Sequence, residues 1–221
     1  PGLPLFPNDF SSAANGLTVN VDSAAQMNAA LGGRVLSLTG VNISLNNAGI
    51  IDPAILGAIS LLSGGVFIGN GGVSLVNVVN NAGAYIRGTG ALLGLNLTSI
   101  DGLAIGVNNA ATGTTNITNH GTITSTGLSI GGVTLADTPV VGIYGGSQVN
   151  MTNSSTGVIN GRIAFESSAT GNTFTNAGAI TGGVSMGAGS TNTFTAVTGS
   201  SVNVGDGVQI SVGLGGLLNI N

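Results

Sequence analysis

A short motif recurs through the second half of the chain and constrains its fold more than any other feature. The motif is a large apolar residue flanked by polar residues and followed by asparagine. It stands at 116–119 (NITN), 150–153 (NMTN) and 173–176 (TFTN), with related copies at 76–80 (VNVVN) and, in part, at 193–195 (TFT). Every full copy is followed by a glycine and a second short apolar alternation. The repeat is therefore a two-part unit.

The spacing of the copies gives the length of the repeat. The central apolar residues are Val78, Ile117, Met151, Phe174 and Phe194. Successive intervals are 39, 34, 23 and 20 residues. The two shorter intervals suit one rung, meaning one pass of the chain through three short strands. The two longer ones predict an extra rung or inserted loops, for which 92–106 and 126–141 are the candidate segments.

Strands this short cannot bury an apolar face alone, because alternate side chains point to opposite sides. Stacking rungs about 4.8 Å apart pairs each strand with copies above and below it. The five central apolar residues should then form one core stack, each contributing roughly 1.5–3 kcal/mol of burial. Because crossovers between parallel strands are nearly always right-handed, the sequence predicts an all-β, right-handed parallel β-helix (β-solenoid) with rungs of about 20–23 residues. The alternative is an antiparallel sandwich, although its tight two-residue hairpin turns are not evident.

The asparagine that ends each copy is predicted to have a structural role. A buried asparagine side chain at a sharp corner can satisfy its own amide and those of its neighbours. Asn80, Asn119, Asn153 and Asn176 are therefore expected to form a ladder. The glycine two to four residues later is expected to supply the positive φ of the next corner.

The N-terminal part is less regular than the rest. We expect a cap and irregular first rungs over 1–65, followed by a regular solenoid over 66–221, in one continuous domain. Segments 22–31 and 52–65 carry helix start and stop signals, and the competing interpretation is that both are irregular rungs of small residues. Residues 1–10 contain three prolines and predict an extended arm or a cap.

Charge is scarce, and this excludes several classes of function. Only 5% of the residues are charged, there is no lysine, and the three arginines are far apart, so a basic footprint for nucleic acid is absent. The chain is 42% hydrophobic and can bury a core, but no apolar run approaches the roughly 20 residues of a spanning helix. The absence of cysteine removes disulfides and thiolate chemistry and fits export in an unfolded state. With no signal peptide at the first residue, we expect a mature form or an excised fragment.

Catalysis on such a fold needs residues that the chain lacks. Polysaccharide lysis needs a base near acidic calcium ligands, and hydrolysis needs two carboxylates about 5–10 Å apart across one groove. With a 20-residue repeat, no second acid falls one rung from Glu166, which is expected to pair with Arg162 on the surface. His120 is the only histidine, and Asp101 and Asp206 are expected in turns rather than in calcium-binding repeats. The sequence predicts a non-enzyme with no catalytic residue, no cofactor and no metal site.

The repeats resemble those of one class of bacterial proteins. The Asn-x-Gly-x-Ile units and segment 172–184 (NTFTNAGAITGGV) are similar to bacterial autotransporter passenger domains and related large adhesins. The resemblance covers roughly 42–221 and rests on low-complexity repeats. It implies export through an outer-membrane pore, a right-handed β-helix, and a role in adhesion or autoaggregation.

These observations predict an extracellular module, secreted or on the cell surface, that acts in cell adhesion, autoaggregation or biofilm formation. Its partners would be copies of itself or surface components of host or bacterial cells, held by many weak neutral hydrogen bonds acting through avidity. A glycan partner would follow if Tyr85 and Tyr144 stacked on sugars rather than packing within the rung. The alternatives are a subunit of a self-assembling extracellular fibre and a glycan-binding or glycan-cleaving β-helix. No segment is expected to insert into a membrane.

Overall fold

The structure, a computed structural model, describes residues 9–29, 33–53, 63–89, 102–125, 129–130, 133–134, 139–165, 171–187, 191–203 and 210–221. Within these ranges the chain is all-β and contains no helix. In chain order the strands are β1 Phe10–Ser12, β2 Thr18–Val21, β3 Gln26–Met27, β4 Arg34–Leu38, β5 Ile43–Asn47, β6 Ile50–Ile51, β7 Gly64–Asn80, β8 Tyr85–Gly88, β9 Ile105–Asn119, β10 Thr122–Ser125, β11 Ser129–Ile130, β12 Val133–Thr134, β13 Pro139–Gly145, β14 Gln148–Asn153, β15 Val158–Asn160, β16 Arg162–Phe165, β17 Thr173–Asn176, β18 Ala179–Thr181, β19 Val184–Ser185, β20 Thr193–Ala196, β21 Ser201–Asn203, β22 Ile210–Ser211 and β23 Leu217–Ile220.

The strands stack in three columns of parallel neighbours. The first column contains β1, β4, the first part of β7, the first part of β9, β13, β16, β19 and β22. The second contains β2, β5, the second parts of β7 and β9, β14, β17, β20 and β23. The third contains β3, β6, β8, β10, β15, β18 and β21. Because β7 and β9 run through the first two columns, those columns form one strongly curled sheet.

The chain visits the columns in a fixed order, first, second and third. The strands β4, β5 and β6 make one rung, for example, and β16, β17 and β18 make another. Partners in the second column lie 26, 33, 39, 34, 23, 20 and 24 residues apart along the chain. Rungs of different length therefore stack in register.

The alternation of side chains decides which face of each strand is buried. In β14, Val149, Met151 and Asn153 are buried, and the residues between them face outward. Strands β5 and β17 alternate in the same way. The buried faces of all three columns pack into one apolar cluster, where each large side chain contributes roughly 1.5–3 kcal/mol. The core lies between the columns.

Two of the predicted alternatives are wrong. The antiparallel sandwich is excluded because the strand pairs within the two large sheets are parallel; the hairpin of β11 and β12 is the antiparallel pair among the described residues. The helix over 22–31 is absent from the described part of that segment, where a turn leads from β2 into β3. This segment forms part of another rung, because β3 pairs with β6. Its small residues fit the tight turn. The candidate helix over 52–65 lies mostly outside the described residues.

The long intervals in the repeat come from inserted segments and not from extra rungs. Val78 pairs directly with Ile117, and Ile117 with Met151, although 39 and 34 residues separate them. The inserted segments follow β8 and β10 in the sequence, as the spacing predicts. Their predicted ends were placed too late, since Gly106 and Val141 already lie in first-column strands. Apolar runs without a repeated motif build that column, so the repeat gave no signal for its start.

Candidate functional site

The predicted core residues lie in one stack inside the second column. Their order is Val78, Ile117, Met151, Phe174 and Phe194, each paired in register with the next. The Phe174 and Phe194 rings meet edge to face with centroids 5.2 Å apart, an arrangement worth about 0.5–1.5 kcal/mol beyond burial. This stack presents no group to solvent and therefore serves structure rather than binding.

The four asparagines predicted to form a ladder lie in a buried row, which Asn47 extends by one rung. Each side chain is fully buried, and each Nδ2 donates to the Oδ1 of the next asparagine at 2.8–2.9 Å, in the order Asn47, Asn80, Asn119, Asn153, Asn176. The same Nδ2 groups also donate to backbone carbonyls at the corner, such as Gly121 O at 3.1 Å. We call this row the buried asparagine row. It satisfies polar groups that have no access to water.

The role predicted for the following glycines is wrong at most positions. One such glycine follows each of the five asparagines of the row, and of these five glycines Gly83 has a positive φ, at 78°. The other four, which lack a positive φ, are Gly49, Gly121, Gly157 and Gly178. A Cβ on any of them would overlap backbone oxygens of the neighbouring rung, and on Gly157 it would also overlap Asn153 Oδ1 of the same rung. These glycines are needed because the neighbouring rung and, at Gly121, Gly157 and Gly178, the buried asparagine row leave no space for a side chain.

Sequence reasoning missed a second buried asparagine pair. Asn172 and Asn192 are fully buried at the corner between the first and second columns. Asn192 Oδ1 accepts from Asn172 N at 3.0 Å, and Asn172 Oδ1 accepts from Val149 N at 2.8 Å. The signal was present as NTFT, which occurs at both 172–175 and 192–195.

The outward side of the second column forms a regular polar surface, here called the polar face. Its side chains stand in two parallel rows across β5, β7, β9, β14, β17 and β20; on β23 one row continues at Asn219 and the other reaches the apolar Leu217. One row contains Ser44, Asn77, Asn116, Asn150, Thr173 and Thr193, and the other contains Asn46, Val79, Thr118, Thr152, Thr175, Thr195 and Asn219. Neighbouring members of a row are about 4.8 Å apart.

Hydrogen bonds between rungs fix the asparagines of the polar face. Asn116 Nδ2 donates to Asn77 Oδ1 at 2.8 Å, and Asn150 Nδ2 donates to Asn116 Oδ1 at 3.0 Å. The threonines in the second of these rows differ from the asparagines. Among the described residues, the hydroxyls of Thr118, Thr152 and Thr175 have no hydrogen-bond partner, so they remain available to water or to another molecule.

The polar face carries no charge. Described strands of the first column include Arg34 and Arg162, and the third column includes Arg87, whose guanidinium pairs with Asp52 at 2.7 Å. No acidic or basic residue stands on the described strands of the second column. The face can therefore donate and accept neutral hydrogen bonds without attracting or repelling ions.

Comparison with known proteins identifies no relative. No protein-family model matches the chain, and no similar protein was found among curated proteins or solved structures. Among the described residues, no helix is long and apolar enough to cross a membrane.

Of the remaining residues singled out from the sequence, His120 and Arg162 lie within the described ranges. The carbonyl of His120 accepts from Thr156 Oγ1 at 2.8 Å at a partly exposed corner. Glu166, Asp101 and Asp206 lie outside the described residues, so the predicted pairing of Glu166 with Arg162 is outside them as well. Within the described ranges, no group of three or more His, Asp or Glu side chains is placed to hold a metal ion.

Proposed function

We propose that the three columns close into a right-handed parallel β-solenoid belonging to a bacterial autotransporter passenger domain or a related large surface adhesin. The proposed location is extracellular, on the cell surface or secreted, and the proposed role is binding rather than catalysis. The fixed order in which the chain visits three parallel columns supports the fold. The repeats of the NTFTNAGAI type support the class of protein.

One observation carries the proposed role: the polar face is regular, exposes hydroxyls and amides, and is free of charge over its described strands. A neutral hydrogen bond contributes only about 0.5–1.5 kcal/mol net, so one contact is weak. The rows repeat amide or hydroxyl groups from rung to rung, with Val79 as an apolar exception, and groups held on one rigid support act together through avidity. The face then mediates adhesion to cells or to copies of this chain.

Bead aggregation tests this role. Beads coated with the chain are mixed at several ionic strengths between roughly 0.01 and 1 M, over which the Debye length falls from about 30 to 3 Å. We expect aggregation to change little across this range, because the face carries no charge. A strong loss of aggregation in salt would mean that ion pairs, and not the polar face, hold the beads together.

Matched lysine variants assign the contact to a face. Thr152→Lys with Thr175→Lys places two charges on adjacent rungs of the polar face. Asn160→Lys with Thr181→Lys places the same two charges on the same two rungs in the third column. We expect the first variant to abolish aggregation at low salt and the second to retain it. Equal loss in both would show that net charge, rather than this face, controls aggregation.

The fibre subunit is the second candidate, and the last strand favours it. The strand β23 is paired on one side with β20, and its apolar side chains are exposed: Leu217 by 55%, Leu218 by 45% and Ile220 by 75%. Among the described strands the other edge of β23 has no partner, and such an apolar edge accepts a further strand, of a second copy or of more of the same chain. Negative-stain electron microscopy over a concentration series tests this candidate. Long filaments that disappear in the Leu218→Lys, Ile220→Lys variant would support it, and discrete short rods at every concentration would reject it.

A further inference from the structure

A pocket lies on the outward side of the third column, whereas the polar face is the outward side of the second column. It has a volume of about 490 Å³ and is lined by Gln26, Ile50, Asp52, Gly83 and Tyr85. Three of these residues come from successive rungs, because Gln26 pairs with Ile50 and Ile50 pairs with Tyr85. Ligand pockets in proteins have volumes of roughly 300–1,000 Å³, so this one has the size of a binding site.

One lining residue, Asp52, belongs to a charged pair in a chain that has few charges. Asp52 Oδ1 accepts from Arg87 Nε and Nη2, each at 2.7 Å, and the two side chains are only 13% and 18% exposed. Removing such a pair from water costs free energy that its attraction does not always repay. Other rungs have the neutral Thr124 and Asn160 in the same outward row, so the repeat itself does not call for a charge at this position. The pair fixes the Asp52 carboxylate at the edge of the pocket.

The walls combine apolar and hydrogen-bonding groups. Tyr85 is partly buried, and burial raises the pKa of its phenol above the usual 10.0, an effect that Arg87 opposes and Asp52 reinforces. Its hydroxyl therefore stays protonated and able to donate in any physiological medium. Ile50 adds an apolar wall beside the ring, and Gln26 contributes an amide at the exposed rim.

We propose that this pocket binds a neutral saccharide, with the Tyr85 ring and Ile50 against the C–H face of a sugar ring and with Gln26 and Asp52 bonded to its hydroxyls. An aromatic side chain offers an apolar body with a polar tip, and a carboxylate held by arginine is a strong, oriented acceptor. Sugar rings present these two kinds of surface together. The inference is independent of the proposed adhesion through the polar face.

Other classes of ligand fit less well. A phosphate or a sulfated glycan would meet the Asp52 carboxylate, and Arg87, the cation beside it, is already engaged in the pair. A wholly apolar ligand would take that charged pair further out of water without offering it a hydrogen bond, which costs free energy. A neutral ligand rich in hydroxyls avoids both costs.

The intrinsic fluorescence of Tyr85 provides a direct test. The chain has no tryptophan and two tyrosines, so the Tyr144→Phe variant emits from Tyr85 alone. Maltotriose, cellotriose and N-acetyllactosamine are the probes, each titrated against this variant. We expect a saturable change in emission with at least one of them. Emission that stays flat with all three would overturn the proposal.

Two glycine variants provide a matched comparison for the pocket. Gly83 and Gly199 both have a positive φ, 78° and 86°, and an added Cβ would meet no atom within 4 Å at either one. Each lies two residues before a third-column strand, β8 or β21. Asparagine is tolerated at such φ values, so both Gly83→Asn and Gly199→Asn should fold. We expect Gly83→Asn, which extends into the pocket, to weaken binding of the responding sugar at least about tenfold. Gly199→Asn should leave binding unchanged, and equal loss in both variants would overturn the assignment.

Discussion

Replacing Asn119 by alanine should destabilise the protein strongly, because this residue is at the middle of the buried asparagine row. Its Oδ1 accepts from Asn80 Nδ2 at 2.8 Å, and its Nδ2 donates to Asn153 Oδ1 at 2.8 Å and to the carbonyls of Gly121 and Val158 at 3.1 and 3.3 Å. Each neutral bond contributes about 0.5–1.5 kcal/mol net, and each buried group left without a partner costs about 1–3 kcal/mol. We expect Asn119→Ala to lower the free energy of unfolding by about 3–5 kcal/mol.

Asn116 provides the matched control on the same strand. It also bonds to an asparagine on each neighbouring rung, at 2.8 and 3.0 Å, but it faces outward and is partly exposed. Water can replace its partners after substitution, so Asn116→Ala should cost no more than about 0.5 kcal/mol. The pair of variants therefore separates the effect of burial from the number of hydrogen bonds.

Urea unfolding followed by far-ultraviolet circular dichroism measures both variants. Because stacked repeats can unfold in stages, hydrogen exchange of the β9, β14 and β10 amides should accompany it and locate the loss. Equal destabilisation by Asn119→Ala and Asn116→Ala would refute the reasoning, as would a cost for Asn119→Ala below about 1 kcal/mol. Either result would mean that the row does not depend on exclusion of water.

Three further predictions concern packing and titration. Gly157→Ala should cost about 1–3 kcal/mol in the same urea assay, because the new methyl would overlap Asn153 Oδ1 and, in the neighbouring rung, the carbonyl oxygen of Asn119; unchanged stability would show that the structure can shift to admit it. Phe174→Ala should cost about 3–5 kcal/mol, since its ring is fully buried, and a cost near zero would contradict the core stack. Tyr85, whose pKa burial raises, should titrate above pH 10.0 in the ultraviolet spectrum of Tyr144→Phe. The unfolded phenol loses its proton first, so folding stability should fall as the pH rises from about 10 through the raised pKa; a midpoint at or below 10.0 would contradict the burial.

Repetition decided which parts of the structure could be predicted from the sequence. Asn119 and Asn153 each end a copy of one motif, so their common place in the structure followed from the motif and from the need to satisfy a buried amide. Asn47 belongs to the same row, but it ends a strand with a different sequence, ISLNN, so the motif did not predict it as a member of the ladder. The first column was not predicted in detail, because apolar runs such as Ile163–Phe165 carry no polar landmark that recurs.

The errors have physical causes that sequence patterns do not contain. Glycine beside a corner can mean either a positive φ or a close approach of two chain segments, and the sequence is the same in both cases. Gly157 is of the second kind, as its neighbour in the next rung shows. The Tyr85 pocket was missed for a related reason. Asp52 and Arg87 are 35 residues apart and meet because β6 and β8 are neighbours in the third column.

The buried asparagine row and the polar face depend on each other through the strands they share. In the second column Asn119 and Thr118 are neighbours in sequence, one held inward by three rungs of hydrogen bonds and the other facing outward. Fixing the inward asparagine fixes the height and direction of the strand, and so the spacing of the outward threonines from rung to rung. Both sets of interactions are neutral, so neither salt nor pH in the usual range alters them greatly. A surface that binds by repeating weak contacts needs this constancy of spacing, because avidity is lost when the sites cannot engage together.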